Sequence, residues 1–249
     1  MARLHLTGGL HLEGPEGAVT ERDVPGQQAR IALVALAVGR RPVSHDALAE
    51  IVWDSAPPAQ WKAALTAIVS KLRSLVASTG LDGAAVLPSI AGTYAFVAPS
   101  DLWIDVEDAL RRLDRAEGAL RHDDLRDAAA EATVASSVLR RPLLAGVYGD
   151  WVESERRRLD DACHRSFVVL ASCWIRLGDH QLATTAAEAA IAIDPLREPA
   201  HRLLIEAELG RGDRGAALRA YRRCATILDV EVGGRPSAET AALVTGLDG

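Results

Sequence analysis

Cysteine, aromatic residues and long apolar runs are all scarce in this chain of 249 residues. Its three cysteines, Cys163, Cys173 and Cys224, show no CxxC spacing and no histidine at a zinc-ligand interval, and an odd number does not fit a disulfide framework. They read as small buried side chains in a reducing cytosol. Cys163 and His164 are neighbours on a helical pattern and point about 100° apart, which is wrong for a shared metal. No uncharged apolar stretch approaches a membrane span, and the first dozen residues alternate instead of forming an export core. A cytoplasmic protein with no membrane partner is therefore expected. The signatures GxxxxGK[ST], GxSxG, HExxH and a strand-borne GxGxxG are absent too. The seven histidines are scattered, and the pairs Asp123-Asp124 and Asp160-Asp161 fall in charge-rich helical stretches, where a solvated face is the ordinary explanation. No enzyme is expected, and no catalytic residue, cofactor or metal.

What remains is alanine-rich and apolar at 49%, with aromatics at 4%, the composition of closely packed helices. The length suits two domains, each able to bury a core of its own. Net charge is −6, but unevenly distributed: residues 1–98 carry 8 Lys/Arg against 8 Asp/Glu, and residues 99–249 carry 20 against 26. The acidity belongs to the second part. A neutral first part is compatible with DNA only if its basic residues share one face.

The first hundred residues pattern as short strands, three helices and a closing hairpin. Leu4, Leu6, Leu10 and Leu12 alternate around Gly8-Gly9, and Gly14 to Gly17 is turn chemistry, so antiparallel strands are predicted. Gln27 to Val38 is a mostly apolar helix, and Ser44 is a suitable N-cap for a second that ends near Trp53. After Pro57-Pro58 a third helix is expected over residues 59–79. Its Leu65, Ile68, Val69, Leu72, Leu75 and Val76 recur at helical spacing as one stripe. The other side carries Gln60, Ala63, Ala67, Ser70, Lys71 and Ser74, flanked by Lys62, Thr66 and Arg73. Both lysines of the protein lie here. Small side chains for close approach, donors for bases and cations for phosphates are what a helix in a major groove requires. Ala85 to Val97 is expected to form the hairpin, with Val86-Leu87 in one strand and Tyr94, Phe96 and Val97 in the other. Residues 84–100 hold no basic side chain, which leaves phosphate contacts to Arg40, Arg41, Lys62, Lys71 and Arg73.

Asp101 to Asp105 is expected to join this domain, residues 1–100, to a helical one, residues 101–249. The strongest internal signal lies in the second: Gly178-Asp179 recurs as Gly212-Asp213, Ala183 as Ala217 and Ala190 as Cys224, always 34 residues apart. That is the period of tetratricopeptide repeats, in which small residues let paired antiparallel helices pack closely. Asp124 and Ala128 repeat the Asp179-to-Ala183 spacing, so an earlier, degenerate unit is expected over roughly residues 106–140. Stacked helix pairs form a concave face suited to a protein or peptide partner, and Trp151, Trp174 and Tyr221 are candidates either to line it or to fill the core.

The order of elements resembles the response-regulator type of winged helix, with Ile68 to Arg73 similar to its recognition helix and Ala91-Gly92-Thr93-Tyr94 similar to its wing. Leu139-Arg140-Arg141-Pro142-Leu143-Leu144, Trp151 to Arg156, Asp194 to Glu198 and Glu231 to Ser237 stand in the order of the bacterial transcriptional activator domain. Together they resemble the antibiotic regulatory protein (SARP) family over nearly the whole chain. Ala95 and the pair Thr66 and Ile68 depart from residues common at those positions in the family. The resemblance implies a mainly α protein: a winged helix-turn-helix with small β elements, then a helical-repeat domain. It also implies an activator of clustered or secondary-metabolite genes. Such an activator would bind double-stranded DNA at direct repeats upstream of promoters, contact RNA polymerase, and act as a homodimer or cooperative oligomer on DNA. The residues expected at the DNA are Arg40, Arg41, Lys62, Ala63, Thr66, Ala67, Ser70, Lys71, Arg73 and, from the wing, Tyr94. The neutral first domain and uncharged wing keep one alternative open, a protein-binding adaptor whose winged helix no longer binds DNA.

Overall fold

The computed structural model describes residues 2–247, which divide into two compact units. The first comprises the chain up to Asp108 together with Arg141–Arg158. The second comprises Ala109–Arg140 and the chain from Leu159 onward.

In the first unit β1 (Ala2–His5) pairs antiparallel with β2 (His11–Glu13), and β2 with β3 (Ala18–Thr20). The alternation read from the sequence puts Leu4, Leu6 and Leu12 inside. Helices α1 (Gly26–Gly39), α2 (His45–Trp53) and α3 (Trp61–Ala77) follow. The Ser44 hydroxyl accepts the Ala47 N–H at 3.1 Å, the cap expected from the sequence. β4 (Val43–Ser44), β5 (Ser89–Ile90) and β6 (Thr93–Tyr94) make a small sheet in the order β4-β6-β5, a winged-helix arrangement with its closing hairpin.

Two expectations for this unit are corrected. Val86 lies not in a strand but in a helical turn, α4 (Gly83–Val86), Leu87 follows as its C-cap, and of the second strand's expected residues Tyr94 lies in β6 while Phe96 and Val97 fall beyond it. The Asp82 carboxylate accepts the N–H groups of Ala84 and Ala85 at 2.9 and 3.0 Å and winds the chain there, so the hairpin starts only at Ser89. Residues 102–104, expected in a junction, form β7 (Leu102–Ile104), which lies parallel to β1 and gives the larger sheet the order β3-β2-β1-β7.

Immediately after β7, the fully buried carboxylate of Asp105 accepts the N–H groups of Leu6 at 2.9 Å, Thr7 at 3.1 Å and Val106 at 2.7 Å, and the Thr7 hydroxyl at 2.9 Å. A buried charge persists when its lone pairs are satisfied in this way.

The remaining elements are helical. They are α5 (Asp105–Arg121), α6 (Leu125–Leu139), α7 (Asp150–Leu177), α8 (His180–Ile193), α9 (Glu198–Gly210), α10 (Arg214–Val232) and α11 (Ala238–Ala242). The 34-residue repeat has a structural meaning at every matched position. Gly178 and Gly212 take the left-handed conformation, at φ +81° and +79°, that turns one helix into the next. Asp179 and Asp213 then cap α8 and α10, accepting from Leu182 at 3.1 Å and from Ala216 at 2.8 Å. Ala183, Ala217, Ala190 and Cys224 are fully buried. In the degenerate unit the glycine place is taken by Asp123, also left-handed at φ +66°, and Asp124 precedes α6 without a side-chain cap bond.

All three cysteines are buried thiols, and burial pushes Cys163 and Cys224 up to about 11. Trp174 and Tyr221 pack against the alanine-rich core.

Candidate nucleic-acid interface

Helix α3 is amphipathic in the sense its sequence requires. Leu65, Val69, Leu72 and Val76 are buried, each at most 2% exposed. Ala63, Ala67, Ser70 and Ser74 recur at the i, i+4, i+7, i+11 positions of the opposite side and are exposed. Lys62, Thr66 and Lys71 flank that stripe and are exposed as well. The Lys62 ammonium lies 5.4 Å from the centre of the Trp61 ring, a cation–π contact that gives its stem a support on an otherwise small-residue face. The Thr66 hydroxyl donates to the Lys62 carbonyl at 2.8 Å, and the Ser74 hydroxyl to the Ser70 carbonyl at 3.2 Å. Both donors are therefore turned back on the helix.

The other expected residues divide by location. Arg41 is exposed beyond the end of α1. Arg40, the left-handed C-cap of α1 at φ 45°, sets its guanidinium 2.9 Å from Glu107 Oε2, so part of its charge is met within the first unit. Arg73 is half-buried, and its Nε donates to the Leu87 carbonyl at 2.8 Å, tying α3 to the end of α4. Tyr94 is 5% exposed and stacks on His45 with ring centroids 4.4 Å apart. The fold thus leaves Lys62, Ala63, Thr66, Ala67, Ser70 and Lys71 exposed on α3, while Arg73 is half-buried on Leu87 and Tyr94 is buried against His45.

Sequence reading missed a long-range contact at the turn that precedes this face. The turn between α2 and α3 holds two consecutive left-handed residues, Asp54 at φ 50° and Ser55 at φ 64°. The Asp54 carboxylate accepts the Asp150 N–H at 2.9 Å. A partner 96 positions away leaves no periodic trace; the only local hint is an aspartate, which tolerates that conformation, at a helix end.

Comparison with known proteins agrees with this architecture. The family model described as "Bacterial transcriptional activator domain" matches residues 104–247. The transcriptional regulatory protein EmbR of Mycobacterium tuberculosis is 28% identical over 250 residues, covering 92% of this chain and 58% of EmbR. The regulatory protein AfsR of Streptomyces coelicolor is 28% identical over 221 residues, covering 89% of this chain and 22% of AfsR. The chain thus spans little more than half the length of its EmbR relatives. The solved structure of Mycobacterium tuberculosis EmbR in complex with a low affinity phosphopeptide superposes with a TM-score of 0.87 at 25% identity, over 99% of this chain and 64% of that one. Among the described residues no helix is long and apolar enough to cross a membrane. By the extent of the domain match and by these relatives, the chain belongs to the bacterial transcriptional activator domain family, within the SARP-type antibiotic regulatory proteins.

Proposed function

We propose that the protein is a sequence-specific, non-enzymatic transcription activator of the cytoplasm, in which α3 enters the major groove of double-stranded DNA. Ala63, Ala67 and Ser70 then face base edges, Thr66 lies beside them, and Lys62, Lys71 and Arg41 meet phosphates, with Arg40 adding what charge Glu107 leaves. Arg73 and Tyr94 support the docking helix and the hairpin from below. The helical repeats, the domain from residue 101, contact RNA polymerase or a neighbouring protomer on direct repeats. Adjacent protomers would offset weak single-site binding, because tethered sites raise effective concentration without new base contacts.

One observation carries this reading: the small, lysine-flanked side of α3 is open, while Leu65, Val69, Leu72 and Val76 on its other side are buried. The experiment is a gel-shift titration over a range of salt, with duplex taken from upstream of the genes beside its own. Wild-type protein is expected to bind with salt-sensitive affinity, and Lys62→Ala and Lys71→Ala are each expected to lower the salt slope by about one. No binding at micromolar protein, or slopes unchanged in both variants, overturns the proposal.

Two observations favour the adaptor reading. The hairpin carries no basic side chain, and Ile90 at its tip is 68% exposed. Absence of any salt-sensitive duplex binding would support it.

A further inference from the structure

The N-cap position of helix α7 is a glycine. The Gly149 carbonyl accepts the first helical bond, from Glu153 N–H at 3.0 Å, which makes Gly149 the N-cap position of a 28-residue helix with no side chain to offer. Its backbone stands at φ +145°, and a Cβ there would lie 3.3 Å from Asp54 Oδ1, so a capping serine or threonine is disfavoured on two counts. One of the unpaired N–H groups of the first turn is met from the helix-turn-helix: Asp54 Oδ1 takes the N–H of Asp150, the first helical residue, at 2.9 Å. A carboxylate at a helix N-terminus is favoured by the macrodipole as well as by the hydrogen bond.

The turn gains from the same contact. Asp54 and Ser55 are consecutive non-glycine residues at positive φ, a conformation that persists only when neighbouring structure over-determines it. Within the first unit, Arg141–Arg158 is held both by a bond to the earlier part of the chain and by bonds of its own. The Gly8 N–H donates to the Pro142 carbonyl at 2.9 Å, and Leu143, Val147 and Val152 are buried. Arg156 donates to the Leu143 and Leu144 carbonyls at 3.0 and 2.6 Å. The segment that presents Asp150 is therefore held on its own account and can serve as a fixed stop.

We infer that Asp54 is a positioning residue for duplex recognition: by capping α7 across the chain it fixes the turn that aims α3. This rests on the duplex-binding role proposed above. It assigns part of the DNA-reading machinery to residues 141–158, inside the segment matched by the activator-domain model.

The test uses the full chain and two substitutions that separate the cap from the backbone. Asp54→Gly keeps the left-handed turn accessible and removes the acceptor; Asp54→Asn keeps both, since its amide oxygen accepts an N–H. If the turn is no longer fixed, affinity falls with the docking-competent fraction, so Asp54→Gly should weaken duplex binding about five- to tenfold. Its salt slope should stay unchanged, because no phosphate contact is lost. Asp54→Asn should bind within about twofold of wild type. Amide hydrogen exchange on the free proteins gives a second readout that needs no DNA. In Asp54→Gly, but not Asp54→Asn, exchange should accelerate at Asp150 and across residues 55–61. Wild-type exchange rates in Asp54→Gly would overturn the inference even if the wild-type chain bound no duplex. Accelerated exchange with undiminished binding would equally overturn the positioning role.

Discussion

The two units of this protein are held together by opposite strategies. The first is closed by pairings between residues far apart in sequence: Leu4 opposite Ile104, Leu6 and Thr7 on Asp105, Thr7 beside Leu143, Asp54 on Asp150. Most of those links are polar and directional. The helices from α8 to α10 in the second unit are closed by neighbours in sequence, each packing on the next through alanines with no accessible surface, such as Ala183, Ala187, Ala200 and Ala217. A polar link fails when one partner is removed; a close apolar contact fails when something is added. The first unit should therefore be the more sensitive to loss of an acceptor, and the second to gain of volume.

The largest effect is expected from Asp105→Ala. It strips an acceptor from three backbone N–H groups and a hydroxyl in a site without water access, and each orphaned donor costs on the order of 1–3 kcal/mol, so a loss of about 4 kcal/mol is expected in the first unit. Tryptophan positions allow the assignment. Trp53, Trp61, Trp103 and Trp151 lie in the first unit and Trp174 in the second, so emission in a urea titration should report the first unit, while far-ultraviolet circular dichroism weights the second. Emission should shift to lower urea ahead of circular dichroism. A single coincident transition in the variant would break the contrast.

Next in size is Ala187→Leu, which adds three carbons to a position with no accessible surface in the alanine-rich core and should cost about 2 kcal/mol. Here the order of probes should reverse, circular dichroism moving first. Equal tolerance of leucine at Ala187 and of alanine at Asp105 would mean that the two units do not differ in the way their contacts indicate.

This difference also explains what the sequence disclosed. The repeat unit was legible because its determinants are local and recur: Gly178-Asp179 and Gly212-Asp213 turn and cap in the same way, 34 residues apart. Helix α3 was legible for the same reason, since its buried stripe fixes which side is open, and Lys62, Ala63, Thr66, Ala67, Ser70 and Lys71 are exposed on it. The turn α4 was misread because Val86-Leu87 is a short apolar run that suits a strand as well as a helix end. The deciding fact, the Asp82 carboxylate reaching Ala84 and Ala85, involves a side-chain choice and not a pattern. Arg73 and Tyr94 were grouped with the open face because their residue types suit DNA. Their surroundings depend on Leu87 and His45, which neither periodicity nor charge brings to notice. Asp105 and Asp54 were invisible as structural centres, because partners about a hundred positions away leave no mark on the sequence around them.

The smallest effect sharpens the comparison through pH. His201 in α9 has no accessible surface; burial lowers its pKa below 6.5, assisted by Arg223 and opposed by the bond between its Nε2 and the Pro195 carbonyl at 2.9 Å and by Glu198. Its folded pKa lies below its unfolded one, so between the two values the unfolded chain binds more protons. The stability it contributes is complete above pH 6.5 and is lost as pH falls through and below that value. Glu198 acts in the same direction at lower pH. Burial raises its pKa, but the Thr240 hydroxyl, the N–H and hydroxyl of Ser237 and Arg202 together outweigh burial and hold it below 4.5. Glu206 acts oppositely, because burial lifts its carboxyl above 4.5 and protonation on acidification relieves that cost. The discriminating quantity is therefore the difference between wild type and His201→Gln, in which Glu206 cancels and Glu198 enters only through its coupling to the imidazole. The wild-type midpoint by circular dichroism should fall more steeply than the variant's as pH drops from 7 towards 5, with the tryptophan-reported transition of the first unit unaffected by the substitution. Parallel pH profiles for the two proteins would show that this buried imidazole is not coupled to the stability of the helical unit.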